Sequence, residues 1–290
     1  MHNLDSFNEL GYVVIKNGVT SELISDFLDD ANKLLSNNRE ELESRVLLVN
    51  ERLFRVVNLH MISNAARRLF SNSSNEATDL VDKILGGACV YTSLYFESGS
   101  EQPLHRDTPY FWTNPPYNYL GFWVALEDVH ASNGMLTLIE KSHTIGEPDI
   151  LKLRQARFFD KNCPSSDDQL FADYNVAVKK ICDDNRLKSI NLPMQKGDIL
   201  IWNASTMHGG MPHIDKKISR KSIVFHLTPK NMPVTHMDYF FHPERNMPKK
   251  SEWKFYSDHG RWYASHPTIS FMHKIDVPIS NIKESFKVSW

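Results

Sequence analysis

Three residues restrict what this chain can fold into more than any others. His105 and Asp107 stand two apart in Gln102-Pro-Leu-His-Arg-Asp107, and His208 lies far downstream in Asn203-Ala-Ser-Thr-Met-His-Gly-Gly-Met-Pro212. Alternation along a strand puts residues i and i+2 on one face, so His105 and Asp107 can ligate one ion from a single strand. His208 can complete the set only from a neighbouring strand. A jelly roll brings such distant segments side by side. Two imidazoles and one carboxylate with open positions opposite are the donor set of non-haem Fe(II) sites. An isolated His-x-Asp arises by chance, and its bland reading is a surface His–Asp pair plus an unrelated core histidine. The same triplet also opens like a kinase catalytic loop. That loop needs Asn five residues after the Asp, where this chain has Trp112, and no glycine-rich loop precedes it.

The rest of the chain supplies strands for such a site. Gly11–Ile15 reads as a short buried strand. Thr20 is placed as an N-cap, followed by Leu23, Ile24, Phe27, Leu28, Ala31 and Leu34 at helical spacing. Helical regions are expected over about Met61–Phe70 and Ala77–Leu85. After Gly86-Gly87 the character turns to β, with strands expected at Ala88–Phe96, Leu120–Val129, Met135–Ile139, Asp198–Trp202 and Lys221–Leu227. Asn133-Gly134 predicts a hairpin between the second and third of these. The expectation is one α+β domain over residues 1–290, with a mainly β core of double-stranded β-helix (jelly-roll, cupin-like) type and N-terminal helices packed on it. Residues 145–192 interrupt the strands with charge and helical stretches such as Ile150–Phe159, and read as a lid-like helical insertion. Residues 230–290 form a C-terminal extension rich in aromatics and histidine, including His236, Tyr239, Phe240, Trp253, Trp262, Tyr263 and Trp290. It should pack on the core or pair with a second copy as a homodimer.

Composition removes several functions. The formal net charge is −2 and the densest basic cluster, Lys216-Lys217 with Arg220-Lys221, is short, so no nucleic-acid partner is expected. No apolar run is long enough to span a membrane. The three cysteines, Cys89, Cys163 and Cys182, lack metal-ligand spacing. With no signal-peptide pattern at the N-terminus, they fit a reducing, cytoplasmic setting.

Over about residues 8–228 the chain resembles the phytanoyl-CoA dioxygenase family of Fe(II)/2-oxoglutarate oxygenases. The resemblance runs through Gly11-Tyr-Val-Val-Ile15, Gln102–Asp107 with Tyr110-Phe-Trp112, and Trp123-Val-Ala-Leu-Glu-Asp128. It continues in Asn133-Gly-Met-Leu136, Lys141-Ser-His143, Lys196-Gly-Asp-Ile-Leu200, His208-Gly and Arg220-Lys-Ser-Ile223. It implies that His105, Asp107 and His208 ligate Fe(II), and that Arg220 grips the distal carboxylate of 2-oxoglutarate, which a planar guanidinium does with two parallel hydrogen bonds. Arg220 lies one residue further from His208 than is usual in the family, which keeps Lys217 and Lys221 as alternatives. Gly210 stands where relatives often carry a hydroxyl residue, so that hydrogen bond must come from elsewhere or be absent. Asn133 reads as turn chemistry, and Ser142-His143 as loop structure.

The resemblance also fills the pocket. Trp202, an even offset before His208, would lie beside the cosubstrate. On Ala88–Phe96 it points the face of Tyr91, Ser93 and Tyr95 inward, with Ser93 and Tyr95 at the cosubstrate and Tyr91 at the substrate. Gln102, Tyr110, Trp112 and Trp123 are the further candidates for substrate contact; ordinary core packing competes for each aromatic. The implied activity is O₂-dependent hydroxylation of an unactivated C–H bond, with 2-oxoglutarate converted to succinate and CO₂. Family members act on acyl-CoA or on free small metabolites and natural products. No dense basic groove awaits the phosphates of CoA, so a free small molecule is expected, with a phytanoyl-CoA-type hydroxylase as the alternative. A non-catalytic jelly-roll binding protein is the alternative of another class; the complete ligand set and Arg220 speak against it.

Overall fold

The computed structural model describes residues 3–45, 48–49, 52–53, 55–159, 163–271 and 275–281. Its centre is a ten-stranded sheet. Eight strands run in the order Tyr12–Ile15, Ile199–Asn203, Leu120–Ala125, Ser222–Pro229, Ala88–Phe96, Val56–Val57, Thr268–Phe271 and Ile275–Pro278, antiparallel at every step. Phe255–Asp258 and Arg261–Ala264 add a hairpin whose second strand runs parallel to Ala88–Phe96. A smaller sheet, His208–Gly210, Leu136–Ile139 and Ser189–Leu192, forms the second layer. This is the expected α+β jelly roll.

One face of the large sheet is covered by N-terminal helices. Ser21–Arg45 starts at Thr20, whose Oγ1 accepts from the Leu23 amide at 3.4 Å, as the capping pattern predicts. Asn64–Ser71 and Asn75–Leu85 follow. Phe27, Leu69 and Phe70 from the helices pack on Phe122, Ile201 and Phe225 from the sheet, all fully buried. Each such side chain contributes about 1.5–3 kcal/mol on burial, which makes this layer the rigid floor beneath the opposite face.

Two expectations are corrected. Asn133-Gly134 does not close a hairpin: Leu120–Ala125 pairs within the large sheet, and Leu136–Ile139 pairs in the small one. The segment between them crosses from layer to layer. Asn133 holds that crossing, accepting from the His130 amide and donating to the carbonyls of Asp128 and Ser219, while Gly134 takes the left-handed conformation at φ 86°. The insertion is also shorter than 145–192, because Ser189–Leu192 belongs to the small sheet. Its helices are Ile150–Phe158, with no buried residue, and Asp168–Asp184, which buries Leu170, Tyr174, Val178 and Cys182. Beyond residue 230 the chain returns to its own sheet as edge strands; Trp290 lies outside the described residues.

Candidate active site

His105 pairs with His208 at the edge of the small sheet. Each donates its amide to the other's carbonyl, at 2.8 and 2.9 Å, so the pair forms a hydrogen-bonded rung beside the small sheet. That rung requires close approach of the backbones. A Cβ on Gly209 would stand 2.7 Å from the Gln102 carbonyl oxygen, so no larger residue fits. The imidazole centroids are 4.4 Å apart. Asp107 closes the triangle, with Oδ1 3.4 Å from His105 Nε2 and Oδ2 3.5 Å from His208 Nε2. Donor atoms of all three residues lie within 4.8 Å of one another, the one such group among the described residues.

The surroundings fix the protons. His105 Nδ1 meets the Pro103 carbonyl at 2.8 Å, and His208 Nδ1 meets the Thr206 carbonyl at 3.0 Å. A carbonyl only accepts, so each Nδ1 carries the proton and each Nε2 turns a lone pair toward the centre. Burial lowers the His208 pKa to about 4, against the pull of Asp107, which keeps the ring neutral and able to ligate at neutral pH. Burial alone would raise the Asp107 carboxyl, but the neighbouring histidines, His208 first and then His105 and His226, together hold it well below the usual carboxylate range. Asp107 Oδ2 also accepts from the Tyr119 hydroxyl at 2.9 Å and from Trp202 Nε1 at 3.3 Å. Trp202 can lie there because its strand partner is Gly121: a Cβ at 121 would sit 2.0 Å from the indole. Two imidazole nitrogens turned to one point, an ionised carboxylate and the donors behind it are the chemistry a divalent iron needs.

The three residues open onto a cavity of about 760 Å³. Gln102, Tyr110, Trp123, Trp202, Tyr91 and Arg220 all line it. Arg220 is 1% exposed, its guanidinium carbon 5.6 Å from the centre of the Trp123 ring. Its Nε and Nη1 have no hydrogen-bond partner among the described residues. Burial pulls its pKa down to about 10, partly offset by Glu127, so it stays charged at neutral pH. A buried cation with unused donors on a cavity wall fits the distal carboxylate of 2-oxoglutarate. Lys217 and Lys221 do not line the cavity. A hydroxyl does stand where Gly210 lacks one: Ser100 Oγ lies 2.9 Å from the position of a Cβ at 210, and Ser100 is on the cavity wall.

Three predicted positions lie elsewhere. Ser93 and Tyr95 share a face as expected, but that face meets the helices. Tyr95 is fully buried against Phe27, ring centroids 5.2 Å apart, and Ser93 Oγ pairs with His60 Nδ1 at 2.7 Å. The cavity face carries Thr92, Leu94 and Phe96 instead, and Tyr91 joins it because the pairing slips between His226 and Leu227. Trp112 is turned aside by the pairing of Trp112–Thr113 with Val234–Thr235, and packs on Phe240 at 5.1 Å. Missed by the sequence reading were Tyr119, His226, Arg55, Trp253 and His266. Alternation from Arg220 through Val224 gives His226 the same face; Tyr119 carries no such signal.

The insertion is anchored beside the candidate metal triad. The Arg106 amide donates to Asn175 Oδ1 at 2.9 Å, and its guanidinium donates to the carbonyls of Ser142 and Ile145 and pairs with Glu147 at 3.2 Å. Ser166 and Asp168 from this insertion reach the cavity wall. No described helix is long and apolar enough to cross a membrane.

Known proteins resemble this chain in sequence and in fold. The family model for phytanoyl-CoA dioxygenase (PhyH) covers residues 7–222. "Phytanoyl-CoA dioxygenase domain-containing protein 1" of Bos taurus is 25% identical over 150 residues, 52% of this chain and 47% of that protein. "Phytanoyl-CoA dioxygenase 1" of Oryza sativa subsp. japonica is 27% identical over 134 residues, 44% of this chain and 39% of that one. The matched stretch thus spans about half the length of the curated relatives or less. In fold, the carbocyclase SnoK from nogalamycin biosynthesis superposes with TM-score 0.60 at 14% identity, over 87% of this chain and 93% of that one. HygX from Streptomyces hygroscopicus, solved with nickel and 2-oxoglutarate bound, gives TM-score 0.54 at 16% identity, over 79% and 86%.

Proposed function

We propose, from the premise that this chain belongs to the phytanoyl-CoA dioxygenase (PhyH) family, that it is an Fe(II)- and 2-oxoglutarate-dependent oxygenase hydroxylating an unactivated C–H bond of a small molecule. His105, Asp107 and His208 hold Fe(II), and Arg220 binds the distal carboxylate of 2-oxoglutarate. The iron, when bound, supplies the activation of O₂ that converts 2-oxoglutarate to succinate and CO₂. The chain's own residues do the rest. Pro103 and Thr206 carbonyls hold the imidazoles in the ligating tautomer, and Tyr119 and Trp202 aim the carboxylate. Trp123 and Trp202 wall the cosubstrate from water, while Tyr91, Gln102 and Tyr110 face the substrate.

The observation that carries this reading is the placement of Arg220, buried with two unpartnered nitrogens, on the wall of the cavity that the metal triad enters. The insertion acts as a lid over one domain. A cytoplasmic location and self-association through residues 230–290 remain part of the proposal, and sedimentation velocity tests the second. Anaerobic titration with Fe(II) and then 2-oxoglutarate should develop the weak visible charge-transfer band of the chelate. A metabolite screen scored by succinate release then finds the substrate. A protein that binds Fe(II) but forms no chelate band with 2-oxoglutarate is not this oxygenase.

A further inference from the structure

The strand Ala88–Phe96 ends between two arginines. On one side Ser222 pairs with Phe96 and the Arg220 amide donates to the Glu97 carbonyl. On the other, Val56 pairs with Tyr95, which brings Arg55 alongside Phe96, its guanidinium carbon 5.4 Å from the ring centre. Two strand spacings separate the flanking backbones by roughly 10 Å. Both arginines line the cavity. Arg220 has its carboxylate; Arg55 has no role in the oxygenase reading so far.

Arg55 has a neighbour suited to the same ligand. Val57 pairs with Ser270 on the adjoining strand, and Arg55 shares the face of Val57. Arg55 and Ser270 are therefore diagonal neighbours, about 7–8 Å apart and within reach of a long side chain. Ser270 lines the cavity, and its buried Oγ has no hydrogen-bond partner among the described residues. Burial lowers the Arg55 pKa, with the Tyr110 phenol and Asp107 acting against it. A guanidinium does not shed its proton near neutrality.

We propose that Arg55 and Ser270 form an anion subsite, and that the substrate carries a carboxylate or phosphate on an apolar or aromatic body. The inference rests on the oxygenase reading of this cavity and names its substrate class. Phe96, Phe111, Tyr91 and Trp253 supply the apolar wall for the body. Asp168 and Asp276 also line the cavity, so amines are the natural competing probes.

The test is binding, read by quenching of the cavity tryptophans in anaerobic protein loaded with Fe(II) and 2-oxoglutarate. The probes are a panel of aryl and alkyl carboxylates, each paired with its neutral amide, its amine analogue and its phosphate monoester. Carboxylate or phosphate should bind at least about tenfold more tightly than the amide, the scale of one charge-assisted hydrogen bond; which of the two wins identifies the anion. Arg55→Gln should erase that preference, Arg55→Lys should keep part of it, and Ser270→Ala should reduce it. In Arg55→Gln, 2-oxoglutarate affinity measured by calorimetry should be unchanged. Arg220→Met should do the reverse, losing 2-oxoglutarate and keeping the anion preference. If Arg55→Gln does not fold, Arg55→Lys and Ser270→Ala decide. Equal binding of anion and amide by the wild type, tighter binding of amines, or an anion preference untouched by these substitutions overturns the proposal. Failure of Arg220→Met to weaken 2-oxoglutarate binding overturns the oxygenase reading instead.

Discussion

Tyr119→Phe isolates one hydrogen bond at the candidate metal site. The tyrosine is fully buried, its ring stacked on Phe111 with centroids 4.6 Å apart, and only its hydroxyl reaches Asp107 Oδ2, at 2.9 Å. Burial and the adjacent carboxylate push its pKa well above the ordinary phenol, so it is a neutral donor throughout the working range. Phenylalanine keeps the stacking and removes the donor. A hydrogen bond to a charged group is worth about 1.5–3 kcal/mol, a factor of roughly 10–150 in affinity. Trp202 Nε1 still serves the same oxygen at 3.3 Å, which puts the expected loss at the lower end, about tenfold. That agrees with the usual effect of second-layer partners on metal affinity. The assay is anaerobic competition for Fe(II), and for Co(II) as a slower-oxidising check, against a chromophoric chelator at pH 7, with a melting curve to confirm the fold. An Fe(II) affinity within twofold of wild type, in a folded variant, would refute the role of Asp107 as the carboxylate ligand oriented by Tyr119.

Further outcomes follow from the same geometry. Arg220→Met should weaken 2-oxoglutarate binding about a hundredfold, read by calorimetry, while Fe(II) binding by chelator competition stays near wild type; Lys217→Met and Lys221→Met should change neither. The metal-free protein should lose stability as pH falls from about 6.5 toward 4, because His208 is neutral in the fold and protonates earlier in the unfolded chain. His208→Gln should flatten that part of the profile in a series of thermal melts. Tyr95→Phe should leave 2-oxoglutarate affinity unaltered, whereas Leu94→Arg, on the cavity face, should abolish turnover in the succinate assay. Limited proteolysis of the free protein should cut first within residues 150–166, where Ile150–Phe158 has no fully buried residue, and slow when cosubstrate and substrate are bound; equal rates in both states would argue against a lid.

How much of this was legible in the sequence depends on the range of the signal. The candidate metal triad was legible because two donors stand two apart in sequence and the third sits in a recognisable segment, although the expected strand stops at the isolated His105 rung and the chain bends at Asp107. Thr20 was legible because a cap acts on the next turn of its own helix. The sidedness of Ala88–Phe96 was not. Alternation says that Tyr95 and Ser93 share a face, but both faces of this strand are buried, one under helices and one in the cavity, so hydrophobicity does not distinguish them. The irregular pairing near His226 then brings Tyr91 to the cavity while Tyr95 stays in the core. Asn133-Gly134 misled for a related reason. The dipeptide specifies a local turn, and the turn is there; what it cannot specify is whether the next strand returns to the same sheet. Here the side-chain amide of Asn133 reaches Ser219, far along the chain, and that tertiary bond sends the strand to the other layer. Tyr119 and Arg55 show the same limit at the site itself. Neither sits in a motif, and each meets its partner only after the sheet has assembled: Tyr119 by the placement of Asp107 above Leu120–Ala125, Arg55 by pairing of the short strand Val56–Val57 with the end of Ala88–Phe96. Ligands that bind the metal directly repeat in spacing and can be read from a chain. The groups that orient those ligands, and those that face a substrate, are set by strand order and become visible only with the fold.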